Sequence, residues 1–414
     1  MKRKVILVLI MISVLTGCQN DTQNKVSREK VQTTKEMEEK EIEVGETEKT
    51  ALDIAHLEET LSKFNNVINV AYVSENRLLI VADKMYLIDI NSGKVVARNS
   101  ECDYVNGEIK VYSNEKNIII LGKKYKDIGE EVVFWDDEDS PELYVVYYDY
   151  QLNLVDDINI SRTFGIDPSF VQYAAVNKSG KLAVYDDQYR QLYLCDTDTK
   201  KKKKIFGESN SELVYDNEIQ FTISGGIEFV QNDEKIAFKA ECMDYPTKEG
   251  AKAFLGIGSV SLDGKECYVT KSGDEYTELE SFDNYAILSQ DCGFTSPTGE
   301  VIKYIFGTDS TEIINLKNNG ESESLYCSQN GNLLATSEEN GGNGWNIRLY
   351  EAKSGELIAD KLYDELPHGN YREPEIYVFE ELNIALLFFR AEDENSNDAF
   401  GVVQYKIREN RCSE

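Results

Sequence analysis

Histidine is nearly missing: the 414 residues hold only His56 and His368. They lie far apart in the chain. That excludes a histidine-rich metal site and argues against a Ser-His-Asp arrangement. There is no Cys-x-x-Cys pair, phosphate-binding Gly-Lys-Ser/Thr loop, dinucleotide fingerprint or zinc-protease helix. Basic charge is also short, with 44 Lys and Arg against 75 Asp and Glu and a net charge of -31. So acidic a chain repels nucleic acid and anionic lipid and favours solubility. No catalytic constellation is identifiable. Carboxylates abound, so a glycosidase pair stays open, but nothing singles one out.

The N-terminus has a clear pattern. Met1-Lys2-Arg3-Lys4 is basic, and Val5 to Val14 is apolar but too short for a stable bilayer span. Leu15-Thr16-Gly17-Cys18 follows and resembles a bacterial lipobox. The resemblance implies a lipoprotein signal peptide over residues 1–17 and diacylglycerol on Cys18. It places the mature chain outside the cytoplasm, held to the membrane by its acyl chains. Residues 18–51 form the expected linker. Positions 19–50 contain no aromatic residue and cannot bury a core, so they read as a disordered tether.

The remainder, residues 52–414, is expected to be one all-β domain. Ala51 to Phe64 suits a short amphipathic helix, with Ile54, Leu57, Leu61 and Phe64 on one face and His56 in solvent. From Val67 onward a unit of four short strands recurs. Its clearest member is the second strand: RLLIVAD from Arg77, NIIILGK from Asn117, KLAVYDD from Lys181 and KIAFKAE from Lys235. NYAILSQ from Asn284, NLLATSE from Asn332 and NIALLFF from Asn383 complete the series. Polar turns precede nearly all of them. Seven units of about 50 residues predict a β-propeller of seven four-stranded blades. A β-helix would need shorter and stricter repeats. The last unit lacks an obvious fourth strand, and propellers commonly close by borrowing one from the other terminus. Lys40 to Val44 and part of Leu52 to Asn65 are the candidates.

A second turn recurs between third and fourth strands. MYLIDINSGK from Met85 matches IRLYEAKSGE from Ile347, and SVSLDGK from Ser259 is a shorter version. This Asp-x-x-Ser-Gly-Lys pattern resembles the turns of pyrroloquinoline-quinone-like, WD40-like and TolB-like propellers. The resemblance covers residues 67–410 by period. No Gly-His…Trp-Asp pair recurs, so true WD40 repeats are absent, as is the sialidase Asp-box. No quinone site is implied.

The connections between second and third strands are long in five units, and on a propeller they leave one face. That points to a binding surface. Trp135 with Asp136 and Asp137 suits a sugar ring or a basic partner, or a solvated loop with one packed Trp. Trp345 either joins that surface or opens a third strand. Asp393, Asn395 and Asn397 put oxygen ligands at alternate positions, which suits Ca²⁺, but the glycine of an EF-hand loop is missing. No other cofactor is indicated. Lys200 to Lys204, at a turn, read as a solvated hairpin, or as a contact for an anionic wall polymer. Besides Cys18 the chain has seven cysteines, which cannot all pair within it. So many spare thiols in an exported chain point to a reducing or anaerobic habitat. Cys195, Cys267 and Cys327 are expected to pack as small apolar residues. Two functions follow: a monomeric, non-catalytic propeller that binds an envelope protein or glycan, or a carbohydrate-active enzyme on the same scaffold.

Overall fold

The computed structural model describes residues 54–64, 67–74, 76–82, 84–100, 104–124, 142–207, 213–215, 219–244, 252–271, 276–290, 293–308, 310–316, 323–340, 344–364, 371–391 and 398–405. A short helix, α1 (Ile54–Leu61), comes first. Blade 1 follows as β1 (Asn69–Ser74), β2 (Arg77–Val81), β3 (Met85–Asp89) and β4 (Lys94–Asn99). Blade 2 holds β5 (Tyr104–Ser113), β6 (Ile118–Lys124), β7 (Glu142–Tyr148) and β8 (Leu154–Asn159), and α2 (Ile160–Phe164) leads onward. Blade 3 holds β9 (Val171–Val176), β10 (Lys181–Asp186), β11 (Gln191–Asp196) and β12 (Lys201–Phe206).

Blade 4 has five strands: β13 (Leu213–Tyr215), β14 (Ile219–Val230), β15 (Lys235–Asp244), β16 (Lys252–Ser261) and β17 (Cys267–Lys271). Blade 5 is β18 (Tyr276–Ser281), β19 (Tyr285–Gln290), β20 (Glu300–Ile305) and β21 (Ser310–Asn315). Blade 6 is β22 (Ser324–Cys327), β23 (Leu333–Glu339), β24 (Trp345–Glu351) and β25 (Leu357–Tyr363). Blade 7 has three strands among the described residues: β26 (Glu375–Phe379), β27 (Ile384–Phe389) and β28 (Ala399–Gln404). All pairings are antiparallel, and the seven sheets form the ring of a β-propeller. Blades 4 and 7 depart from the four-strand expectation. Blade 4 gains β13, which pairs with Ile219–Phe221 of the long β14. On blade 7, α1 packs against β28. Part of the Leu52 to Asn65 candidate for closure is therefore helical, and Lys40 to Val44 lies outside the described residues.

The ring is held by seven apolar seams, one between each pair of neighbouring blades. Strand geometry explains how one strand serves two seams, because successive side chains point to opposite faces. In β2, Leu78 and Ile80 enter the seam with blade 7, while Leu79 and Val81 enter the seam with blade 2. In β27, Ile384, Leu386 and Phe388 face blade 1, while Ala385, Leu387 and Phe389 face blade 6. A strand buried on both faces must be apolar throughout. That is why the second strands are the strongest pattern in the sequence. The helix serves the closing seam. Leu57 and Leu61 of α1, with Phe64, are buried there, and Thr60 Oγ1 donates to Gly93 O at 2.8 Å.

The Asp-x-x-Ser-Gly turns are structural. Asp89 Oδ1 accepts from Ser92 N at 2.8 Å and Ser92 Oγ at 2.6 Å. Asp196 Oδ1 accepts likewise from Thr199 N at 2.7 Å and Thr199 Oγ1 at 2.9 Å. The short carboxylate satisfies backbone donors that the turn would otherwise leave free. Gly93 follows at φ 60, in the left-handed region that glycine enters most easily.

Outer strands differ from inner ones. Val95, Val96, Leu154, Val155 and Ile313 stand exposed on β4, β8 and β21. On β12 that position is held by Lys201 to Lys204, all exposed. The lysine run is thus mainly an edge strand, with only Lys200 in the preceding turn at φ 56. Lysines along an unpaired edge oppose pairing with another chain.

Candidate functional site

The first strands of the blades, and β14 in blade 4, line the central channel, where β1 meets both β5 and β26. Side chains from two non-adjacent blades join there. Lys110 and Tyr112 come from β5, and Glu228 from β14. Lys110 Nζ donates to Glu228 Oε2 at 2.9 Å and to Ile227 O at 3.1 Å. Tyr112 OH lies 3.2 Å from each oxygen of the same carboxylate. Burial, followed by the Glu228 charge, pushes the Tyr112 phenol well above its ordinary value, so it stays a neutral donor.

A backbone irregularity sets this contact. The β14–β15 register slips between Ile223 and Gly225 and again between Gly225 and Glu228. Such bulges re-aim side chains. Gly225 at φ 143 and Gly226 at φ 59 occupy the bulge. A Cβ on Gly225 would lie 3.6 Å from the Tyr173 ring, and one on Gly226 3.1 Å from Leu279 Cδ2. Glycine therefore answers both the dihedral demand and the close approach of blades 3 and 5.

Next to this cluster, the seam between blades 5 and 6 opens into a cavity of roughly 380 Å³. Glu278, Leu279 and Glu280 of β18, Ile287 and Ser289 of β19, and Gly293 line it from blade 5. Leu325 and Cys327 of β22 line it from blade 6. Glu278 pairs with Lys239 at 3.5 Å. The Glu280 side chain is exposed to the channel and lies beside the Cys327 thiol. Desolvation by the surrounding protein pushes the Glu280 carboxyl above its usual value. Glu228 acts in the same direction, while the Lys110 charge and the thiol oppose it. Burial first and the Glu280 charge second hold the Cys327 thiol well above its usual value. A thiol kept protonated is a poor nucleophile, so this arrangement can bind and position charge but does not activate sulfur.

Farther out in the same seam, Arg348 of β24 is buried among carboxylates. Its Nη1 lies 2.7 Å from Glu323 Oε1 and its Nη2 2.8 Å from Glu338 Oε2. Asp360 Oδ1 is 3.8 Å from Nε.

Trp345 sits at the first position of β24, half-buried against the seam between blades 6 and 7, and not beside the channel cluster. Cys18, Trp135, Asp136, Asp137, Asp393, Asn395 and Asn397 lie outside the described residues, as do His368 and the His56 side chain. No group of three or more His, Cys, Asp and Glu suited to a metal ion occurs among the described residues. Cys195, Cys267 and Cys327 are free and all sit in strands against apolar seams. The sequence reading missed Lys110, Tyr112, Glu228 and Glu280, and missed the cavity role of Cys327. The one local signal was Gly225-Gly226 inside an otherwise strand-like run, which marks a bulge.

No family model matches the chain, and no curated protein matches it. Among solved structures it is similar to the tricorn protease, at 12% identity and a TM-score of 0.33. That match covers 81% of this chain and 29% of the other, so the chain spans less than a third of the tricorn protease. A likeness this distant carries no argument about activity. No helix among the described residues is long and apolar enough to cross a membrane.

Proposed function

We propose that this chain is a membrane-anchored extracytoplasmic lipoprotein whose propeller is a non-catalytic binding module for an envelope protein or glycan. The anchor reading rests on Leu15-Thr16-Gly17-Cys18 behind a basic start and a short apolar run.

One observation carries the binding reading. Turns from first to second strands are short in every blade, but five of the seven connections from second to third strands are long. The gaps run from Lys124 to Glu142, Asp244 to Lys252, Gln290 to Glu300, Glu339 to Trp345 and Phe389 to Ala399. The antiparallel order sends all of these to one end of the ring. Elaboration of one face on a rigid scaffold favours recognition.

Two experiments test the proposal. Cys18→Ser should abolish acyl labelling and release the protein from the membrane fraction, and unchanged labelling and fractionation overturn the anchor. A panel of envelope glycans and cross-linked envelope proteins should show retention without turnover, lost when residues 125–141 are shortened to a four-residue turn. Release of a cleaved glycan would instead establish a carbohydrate-active enzyme. Retention that survives the deletion would remove this face as the site.

A further inference from the structure

We infer that the cavity between blades 5 and 6 is a subsite for an organic cation, an ammonium or guanidinium group on an aliphatic stem, with Glu280 as its counter-ion. This concerns the channel wall and shares with the loop face above only Gly293, in the connection from Gln290 to Glu300.

The chemistry of the lining makes the case. Leu279, Ile287 and Leu325 supply apolar walls, and Glu278, Glu280, Ser289 and Cys327 supply the polar groups. A volume of roughly 380 Å³ falls within the usual range of small-ligand pockets. The neighbouring carboxylates already have cations: Glu278 has Lys239 and Glu228 has Lys110. Among the described ion pairs none engages Glu280, which lies beside the neutral thiol of Cys327 and feels the Lys110 charge only from its pairing with Glu228. A carboxylate facing a cavity in this way favours a positive group. An anion would meet two glutamates, and a purely apolar ligand would strip water from Glu280 without replacing it. A metal ion is the poorer match, since no set of three suitable donors occurs among the described residues. The apolar walls then select for a stem behind the charged head, as in a lysine or arginine side chain or a free alkylamine.

The test uses hexylamine, hexan-1-ol and hexanoate at millimolar concentration, a range suited to ligands of so few atoms. Binding to the full chain is followed by calorimetry. Hexylamine should bind, the alcohol and the carboxylate should not, and Glu280→Gln should weaken hexylamine about tenfold or more. Asp263→Asn removes the same charge from an exposed turn and should leave binding unchanged. In the wild type, hexylamine should slow backbone amide exchange in β18 and β22, the strands that line the cavity, read by peptide mass mapping. That measurement does not depend on any variant folding. A tripeptide with one central lysine separates a peptide source, if it binds like hexylamine, from a free amine, if it does not; either result keeps the cation site. No hexylamine binding, equal binding by hexan-1-ol, equal losses in Glu280→Gln and Asp263→Asn, or unchanged amide exchange in β18 and β22 would each overturn the inference. None of these results bears on retention at the loop face, so the two proposals fail separately.

Discussion

The seam that joins blade 7 to blade 1 and the seam that joins blade 5 to blade 6 do the same geometrical job with different materials. Among the described residues the first buries 16 apolar side chains, three of them in or just after α1, and the second buries eight. The first is apolar along β2 and β27. The second contains a cavity at its inner end and a buried guanidinium among carboxylates farther out. A ring needs every seam closed but does not need every seam equally strong. The surplus at the closing seam leaves room for polar groups elsewhere.

Mutations can break that contrast. Phe388 is fully buried at the closing seam, 4.9 Å from the Phe400 ring centroid. Phe388→Ala should cost about 3–5 kcal/mol in denaturant unfolding. Arg348→Ala should cost about 3 kcal/mol, because Glu323, with 1% of its side chain exposed, would keep a buried charge without its cation. Ile287→Ala should cost about 2 kcal/mol, the low end for a buried aliphatic, since Ile287 already borders empty space. If Ile287→Ala proves as costly as Phe388→Ala, the two seams are equivalent and the comparison fails.

The smallest expected effect is a pH dependence. Glu280 has a raised pKa in the folded chain. Its contribution is therefore fully present below the unfolded value of about 4.3 and is lost as pH rises through the folded value. Glu280→Gln should match or slightly exceed wild-type stability at pH 7, and the difference should close as the pH falls towards 4. A variant less stable than wild type at pH 7, recovering on acidification, would mean that the fold stabilises the Glu280 charge instead of opposing it.

What the sequence made legible follows the same physics. Runs such as Leu78–Ile80 and Ile384–Phe389 stand out because both faces of those strands are covered. Leu57, Leu61 and Phe64 were readable as a helix face because they keep helical spacing and share one seam. Lys200 to Lys204 was legible as a solvated hairpin but not as an edge, because an outermost strand buries almost nothing and so carries no apolar alternation. The channel cluster was unreadable for a different reason. Lys110, Glu228, Glu280 and Cys327 belong to four blades, and only ring closure brings them together. Trp345 drew notice as a rare residue, but its neighbours are those of a seam residue.

The contact of α1 and blade 1 with blade 7 also sets an order of events. Leu78 and Phe388 share a cluster although about 300 residues separate them, so no local folding step can form it. While the chain is being made, each new blade can stack on the one before it, but blade 1 keeps an uncovered apolar flank until the last blade arrives. Non-local closure of this kind is slow, and the waiting surface is prone to stick to other chains. On this view α1 is a chaperone built into the sequence. Leu57, Leu61 and Phe64 lie only a few residues from Val67 and Val70, so they can shelter that flank long before Phe388 reaches it.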